Sequence, residues 1–157
     1  MRVSKSEEYG LRLVMSLAVS GEQLTIRELA ELDDLPDTTV AKVIGRLRRA
    51  GLVSAERGRN GGYTLTRPAA EISLASVVAA FEDQVFGSDF CDRMHPGDGR
   101  CARSGSCGLK PVWHGLTTVI GSFLAGITVA DLVAGRDPAG CDGELLPMVS
   151  THRGRPR

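Results

Sequence analysis

Residues 25–51 read TIRELAELDDLPDTTVAKVIGRLRRAG, and this stretch decides the fold. Thr25 followed three residues later by Glu28 is a pairing that satisfies two unpaired amides at a helix start, so a short helix opens here with Ile26, Leu29 and Ala30 facing inward. It is expected to stop near Asp33 and Asp34. After Leu35 and Pro36, the side chain of Asp37 or Thr38 is expected to cap a further helix, on which Val40, Val43, Ile44 and Leu47 share one face. Gly51 closes that helix. Helix, tight turn, helix is the result, and in such a unit the second helix enters the major groove of DNA by its N-terminal residues.

Upstream, residues 9–19 place large apolar side chains at 9, 11, 13, 14 and 17, which fits a first helix ending at Gly21. Downstream, 52–55 and 63–66 are short β-type runs joined by residues 56–62, a stretch rich in Arg and Gly. This hairpin is a wing. Thr38, Thr39 and Lys42 are placed to meet bases, whereas Arg46, Arg48 and Arg49 lie farther along the helix, where some of them can neutralise phosphates, which gives salt-dependent affinity with little sequence information. Arg57 and Arg59, beside Gly58, Gly61 and Gly62, suit the narrow minor groove of A·T-rich DNA.

The charge distribution agrees. The 157 residues carry 19 bases and 19 acids for a net charge of zero, so no global basic field exists and any basic patch must be local. Residues 41–70 hold seven bases (Lys42, Arg46, Arg48, Arg49, Arg57, Arg59, Arg67) against Glu56 alone, while the first forty hold eight acids and four bases. Residues 1–10 are charged and lack an apolar centre, so no secretion signal is read and the chain is expected in the cytoplasm.

Residues 72–81 form a further amphipathic helix with Leu74, Val77, Val78 and Phe81 as candidate core contacts. Between Gly87 and Gly108 lie five glycines, one proline and three cysteines, Cys91, Cys101 and Cys107. Thiolates gathered on such a loop, without a signal that would favour disulfides, commonly hold a soft metal or an iron–sulfur cluster. Small buried thiols are the ordinary fate of free cysteines, but a polar loop offers little core to bury them. From Pro111 to Ala130 no Asp, Glu, Lys or Arg occurs, yet His114, three threonines and three glycines interrupt the stretch, and its large apolar residues recur every three or four. That is an amphipathic helix whose repeat suits pairing with a second copy of itself. Thr128 and Asp131 open a last short helix, and beyond Gly135 the Gly, Pro and Arg content reads as a tail in which Cys141 is a bystander.

The fold class is therefore mainly α with a small β-hairpin: a winged helix-turn-helix with a long C-terminal dimerisation helix. Residues 1–70 are the DNA-binding domain, 71–134 the cluster-binding loop and dimerisation helix, and 135–157 a flexible tail. No Cys-x-x-Cys pair, nucleotide loop or paired catalytic acid appears, so an enzyme is not expected.

Five stretches resemble the Rrf2 family of bacterial transcription regulators. They are Tyr9-Gly10-Leu11-Arg12, Arg46-Leu47-Arg48-Arg49-Ala50-Gly51-Leu52-Val53, the wing Arg57-Gly58-Arg59-Asn60-Gly61-Gly62-Tyr63, the cysteine loop, and Thr128-Val129-Ala130-Asp131-Leu132-Val133. Within the family the chain is similar to the cluster-bearing branch of NsrR, RsrR and IscR type, and Cys107-Gly108-Leu109-Lys110 is similar to the nitric-oxide-responsive members. The resemblance implies a homodimer on operator DNA, with each cluster held by three cysteines of one subunit and a fourth ligand. Lys110 stands where the IscR branch has its ligand histidine, and Arg12 where the RsrR-like one has a histidine. The resemblance then assigns the fourth ligand to a carboxylate of the partner's first helix, at the position of Glu8. By position alone Glu8 is simply an acid favoured by a helix start. Nine residues separate Cys91 from Cys101, more than is common in the family, which leaves open a four-iron cluster on all three cysteines or a two-iron cluster on two of them; the resemblance implies an iron–sulfur cluster, with 4Fe-4S preferred and 2Fe-2S as the alternative. His95 and His114 remain alternative ligands. The expected signal is nitric oxide, redox state or iron–sulfur status. The alternatives on the same fold are a zinc site and a metal-free thiol sensor of oxidants.

Overall fold

The computed structural model describes residues 4–56, 58, 61–81 and 107–136. Cys91, Cys101, His95, Arg57, Arg59 and the stretch beyond residue 136 with Cys141 lie outside the described residues.

Helix α1 (Lys5–Ser20) starts earlier than its apolar pattern suggests, because Ser4 and Glu7 form a reciprocal cap: Glu7 N–H donates to Ser4 Oγ at 3.2 Å and Ser4 N–H to Glu7 Oε2 at 2.6 Å. It ends at Gly21, whose φ of 64° is a left-handed cap that glycine adopts without a Cβ penalty. Helix α2 (Ile26–Asp33) opens with the expected Thr25–Glu28 box, and Asp34 takes the left-handed position at its end. Helix α3 (Asp37–Arg49) departs from expectation at its start. Neither Asp37 nor Thr38 caps it; the cap position is Pro36, which makes no side-chain bond. The Pro36 carbonyl instead accepts from Thr39 N–H at 2.8 Å and Val40 N–H at 3.1 Å, and Asp37 already lies in the first turn, where a negative charge suits the helix dipole.

Strands β1 (Val53–Ala55) and β2 (Tyr63–Leu65) pair antiparallel with Val53 opposite Leu65 and Ala55 opposite Tyr63. A third segment joins them: Leu24 bridges Tyr63, its N–H donating to Tyr63 O at 3.1 Å and its carbonyl accepting from Tyr63 N–H at 2.8 Å. A short 3-10 turn (Ala69–Glu71) then leads to helix α4 (Leu74–Ala79), shorter than the 72–81 reading because Ser73 caps it and Ile72 is extended. Helix α5 (Leu109–Ala125) and helix α6 (Val129–Val133) complete the described chain, α6 with the expected Thr128–Asp131 box.

One core gathers Leu13, Val14 and Leu17 of α1, Leu29 of α2, the whole Val40, Val43, Ile44, Leu47 face of α3, and Ile72, Val77, Phe81 and Val129. Each such large side chain stabilises the fold by roughly 1.5–3 kcal/mol when fully buried. The cluster thus unites residues on both sides of residue 70. Two backbone bonds fix how the later segment returns to it: Leu74 N–H to Ile127 O and Val129 N–H to Ile72 O, both 2.9 Å, place the Ser73 and Thr128 caps side by side. The start of α4 and the start of α6 are therefore fastened to one another. Among the described residues no helix is long and apolar enough to cross a membrane.

Candidate nucleic-acid interface and metal centre

Burial of one face of α3 dictates what its other face can do. With Val40, Val43, Ile44 and Leu47 turned inward, Thr38, Lys42, Arg46, Arg48 and Arg49 are exposed and Thr39 half-buried. Lys42, Arg46, Arg48 and Arg49 line one open groove with Tyr63 of the wing, and no acid lines it among the described residues. Arg48 also borders the neighbouring groove between the start of α2 and the wing. Positive charge is thus concentrated where helix and hairpin meet, the arrangement that attracts a phosphate backbone.

The wing is anchored from outside itself. Besides the Leu24 bridge, the Gln23 side-chain amide donates to the Glu56 carboxylate. Gly62 eases the approach: a Cβ there would lie 3.0 Å from the Leu24 carbonyl oxygen, a tight contact that would push the neighbour back by a few tenths of an ångström. The turn before α2 therefore sets the angle at which the hairpin leaves the domain.

Arg46 does not simply project outward. One guanidinium N–H donates to the Phe81 carbonyl at 3.2 Å, and the guanidinium carbon stands 5.8 Å from the centre of the Phe81 ring. Phe81 is 1% exposed, and its ring fills the space over Gly10 so closely that a Cβ at Gly10 would fall 2.3 Å from it. The ring thus lies between α1 and α3.

Of the proposed metal ligands, Glu8 and Cys107 are described. Glu8 stands on the first turn of α1 with its side chain 58% exposed, and its carboxylate faces Arg12 at 3.9 Å, an exposed pair that screening makes weak. Cys107 is a free, half-buried thiol immediately before α5, and His114 is exposed about two turns further on. No group of three or more His, Cys, Asp and Glu side chains suited to a metal forms among the described residues. What the described part offers fits a cluster as donors: an unpaired thiol and a loosely held carboxylate. Glu7, next to Glu8, is 2% exposed, and its Oε1 finds no partner among the described residues.

Two constellations escaped the sequence reading. Arg12 donates through Nε to Asp33 Oδ1 at 3.2 Å and through a terminal N–H to the Asp33 backbone carbonyl, while Ser16 O–H donates to Asp33 Oδ2 at 2.9 Å. Asp33, only 7% exposed, is thereby satisfied, and the end of α2 is fastened to α1. Arg12 and Ser16 are one helical turn apart, which is the signal that could have shown a shared partner. The second constellation is Arg46 with Phe81, for which spacing gives no hint.

Comparison with known proteins decides the family. The Rrf2 family, described as iron-dependent transcriptional regulators, matches residues 3–135. The chain belongs to the Rrf2 family. It is 37% identical over 137 residues to the HTH-type transcriptional repressor NsrR of Streptomyces coelicolor, a match covering 85% of this chain and 89% of that one. Among solved structures it is similar to T. potens IscR, with a TM-score of 0.67 and 27% identity over 89% of this chain and 91% of that one. It is also similar to the oxidized form of Staphylococcus aureus CymR, with a TM-score of 0.63 and 28% identity over 87% of this chain and 99% of that one. As an Rrf2 protein the chain is a DNA-binding transcriptional regulator of winged helix-turn-helix fold, not an enzyme.

Proposed function

We propose that this Rrf2 regulator is a homodimer that binds operator DNA under control of an iron–sulfur cluster held by Cys91, Cys101 and Cys107, with Glu8 of the second subunit as fourth ligand. The observation that carries the reading is Cys107: an unbonded thiol seated at the root of α5, closing a sequence segment that holds the other two cysteines. The iron-dependent family description and the similarity to NsrR and IscR proteins support it. When bound, such a cluster supplies a centre that reacts with oxidants or nitric oxide. The chain's own residues do the rest. Three thiolates are soft ligands for iron, whereas the Glu8 carboxylate is hard and weakly held, hence the ligand most easily displaced. Arg12, beside Glu8 and bound to Asp33, joins that carboxylate's position to the end of α2.

The second subunit is supported by α5. Leu109, Val112, Leu116, Val119 and Phe123 alternate at spacings of three and four and are all exposed, which is the seam of a paired helix. Pairing would set the distance between the two recognition helices and so the half-site spacing. On each, Thr38, Thr39 and Lys42 would meet bases, with Arg48 and Arg49 on phosphates and Arg57 and Arg59 of the wing in the minor groove.

Anaerobic purification with an absorption spectrum and counts of iron and acid-labile sulfide tests the ligand set. A coloured protein with iron and sulfide, emptied by Cys101→Ala, is expected; normal loading of Cys101→Ala would refute the ligands. Likeness to an oxidized CymR favours one second reading, a metal-free thiol sensor. That protein would be colourless, bind operator without iron, and respond to oxidant by disulfide formation. A 4Fe-4S cluster is preferred to 2Fe-2S because three thiolates are at hand, and the ratio of sulfide to chain distinguishes them.

A further inference from the structure

Arg46 lies on the groove side of α3 among the phosphate-type arginines, yet its guanidinium is engaged with the protein. It donates to the Phe81 carbonyl at 3.2 Å and faces the Phe81 ring. That carbonyl follows the end of α4, where backbone acceptors lack helical partners, so an arginine there satisfies a group the helix cannot. Phe81 cannot drift on its own: it is buried, and its ring is wedged over Gly10 of α1. In the sequence Phe81 stands ten residues before Cys91. One side chain therefore ties the recognition helix to the chain that leads into the cysteines. A guanidinium held over a ring and bonded to a carbonyl in this way loses freedom to reach a phosphate.

We infer that Arg46 is a positioning residue that couples the recognition helix to the cysteine-bearing segment through Phe81, and not a phosphate contact. The inference rests on the cluster-controlled reading above. A displacement of Phe81 is passed to the third turn of α3, changing the tilt at which Thr38, Thr39 and Lys42 meet the groove.

The test uses the full-length chain, with and without its cluster, and a duplex carrying the operator, over a series of salt concentrations. For Arg46→Ala the slope of log K against log salt is expected to stay at the wild-type value. The ratio of operator affinities between loaded and cluster-free protein is expected to fall to within about twofold of unity, from the fivefold or more typical of a coupled pair of sites. Arg48→Ala is the contrast: its slope should shrink by about 0.9, the share of one phosphate, with the ratio kept. If Arg46→Ala shrinks the slope by that amount and keeps the ratio, Arg46 is a phosphate ligand and the inference is overturned.

A mutant cycle separates this failure from failure of the cluster reading. If wild-type protein binds operator equally well with and without a cluster, the regulatory proposal falls, and the cycle alone decides on Arg46. Arg46→Ala combined with Phe81→Leu should then lose no more operator affinity than the worse single variant, within about twofold. Losses that multiply would overturn the coupling.

Discussion

In α3 the residues Val40, Val43, Ile44 and Leu47 are at most 4% exposed, whereas in α5 Leu109, Val112, Leu116, Val119 and Phe123 remain between 39% and 67% exposed. Both faces repeat at helical spacing, and both belong to chains of apolar residues that water disfavours. Helix α3 finds its cover in α1, α2 and β1. Among the described residues helix α5 packs against α4, and its stripe remains exposed. The pattern of a helix therefore states that a face wants cover and is silent on who provides it. Covalent proximity settles that for α3, and in our reading a second subunit settles it for α5.

Three variants break or sharpen this contrast. Leu116→Glu with Val119→Glu places two charges on the exposed stripe of α5, so it should convert a dimer to a monomer in sedimentation and remove cooperative operator binding. A dimer that persists would show that α5 is not the seam. Leu47→Ala acts on the covered face, where it leaves a cavity: the expected loss is about 2–5 kcal/mol in denaturant unfolding, with the association state unchanged. A loss below about 1 kcal/mol would mean that this face is less closely packed than the structure has it.

The smallest effect concerns the helices next to these two in sequence, α2 and α6, whose starts carry the side-chain caps that α3 and α5 lack. Hydrogen bonds from Thr25 hold the Glu28 carboxyl below its ordinary 4.5, and those from Thr128 hold Asp131 below its ordinary 3.8, with Arg136 adding to the second. A folded-state value below the unfolded one stabilises fully above the unfolded value and is lost as the pH falls through the folded value. Thr25→Ala with Thr128→Ala should therefore lower the melting temperature most near neutral pH, by a few degrees, and the gap from wild type should narrow below about pH 4. A gap that is constant from neutral to acid pH would contradict the assignment.

Much of the fold could be read because its signals are local. The Thr25–Glu28 and Thr128–Asp131 boxes, the apolar face of α3 and the strand pair around the wing all depend on residues within a few positions of one another. What was missed is long-range or has a substitute nearby. Leu24 is a single bridging residue with no strand run around it, so only its partner Tyr63 reveals it. Asp33 looked like a helix stop, and its burial under Arg12 and Ser16 depends on how α1 crosses α2. At Pro36 a backbone carbonyl does what Asp37 or Thr38 was expected to do. Of the candidate site, the basic face of α3 follows from the inward face it opposes. Arg46 could not be told from Arg48 by sequence, since Phe81 is 35 positions away. Cys91, Cys101, Arg57 and Arg59 lie outside the described residues, and their roles rest on residue chemistry and the family.

The most direct test of the account compares operator affinity in one anaerobic preparation before and after its iron is removed, with iron and sulfide counted in both samples. The account predicts iron and sulfide in the first sample and a change in affinity of at least about fivefold when they are gone. A preparation that never contained iron and grips the operator as tightly as any other would contradict it.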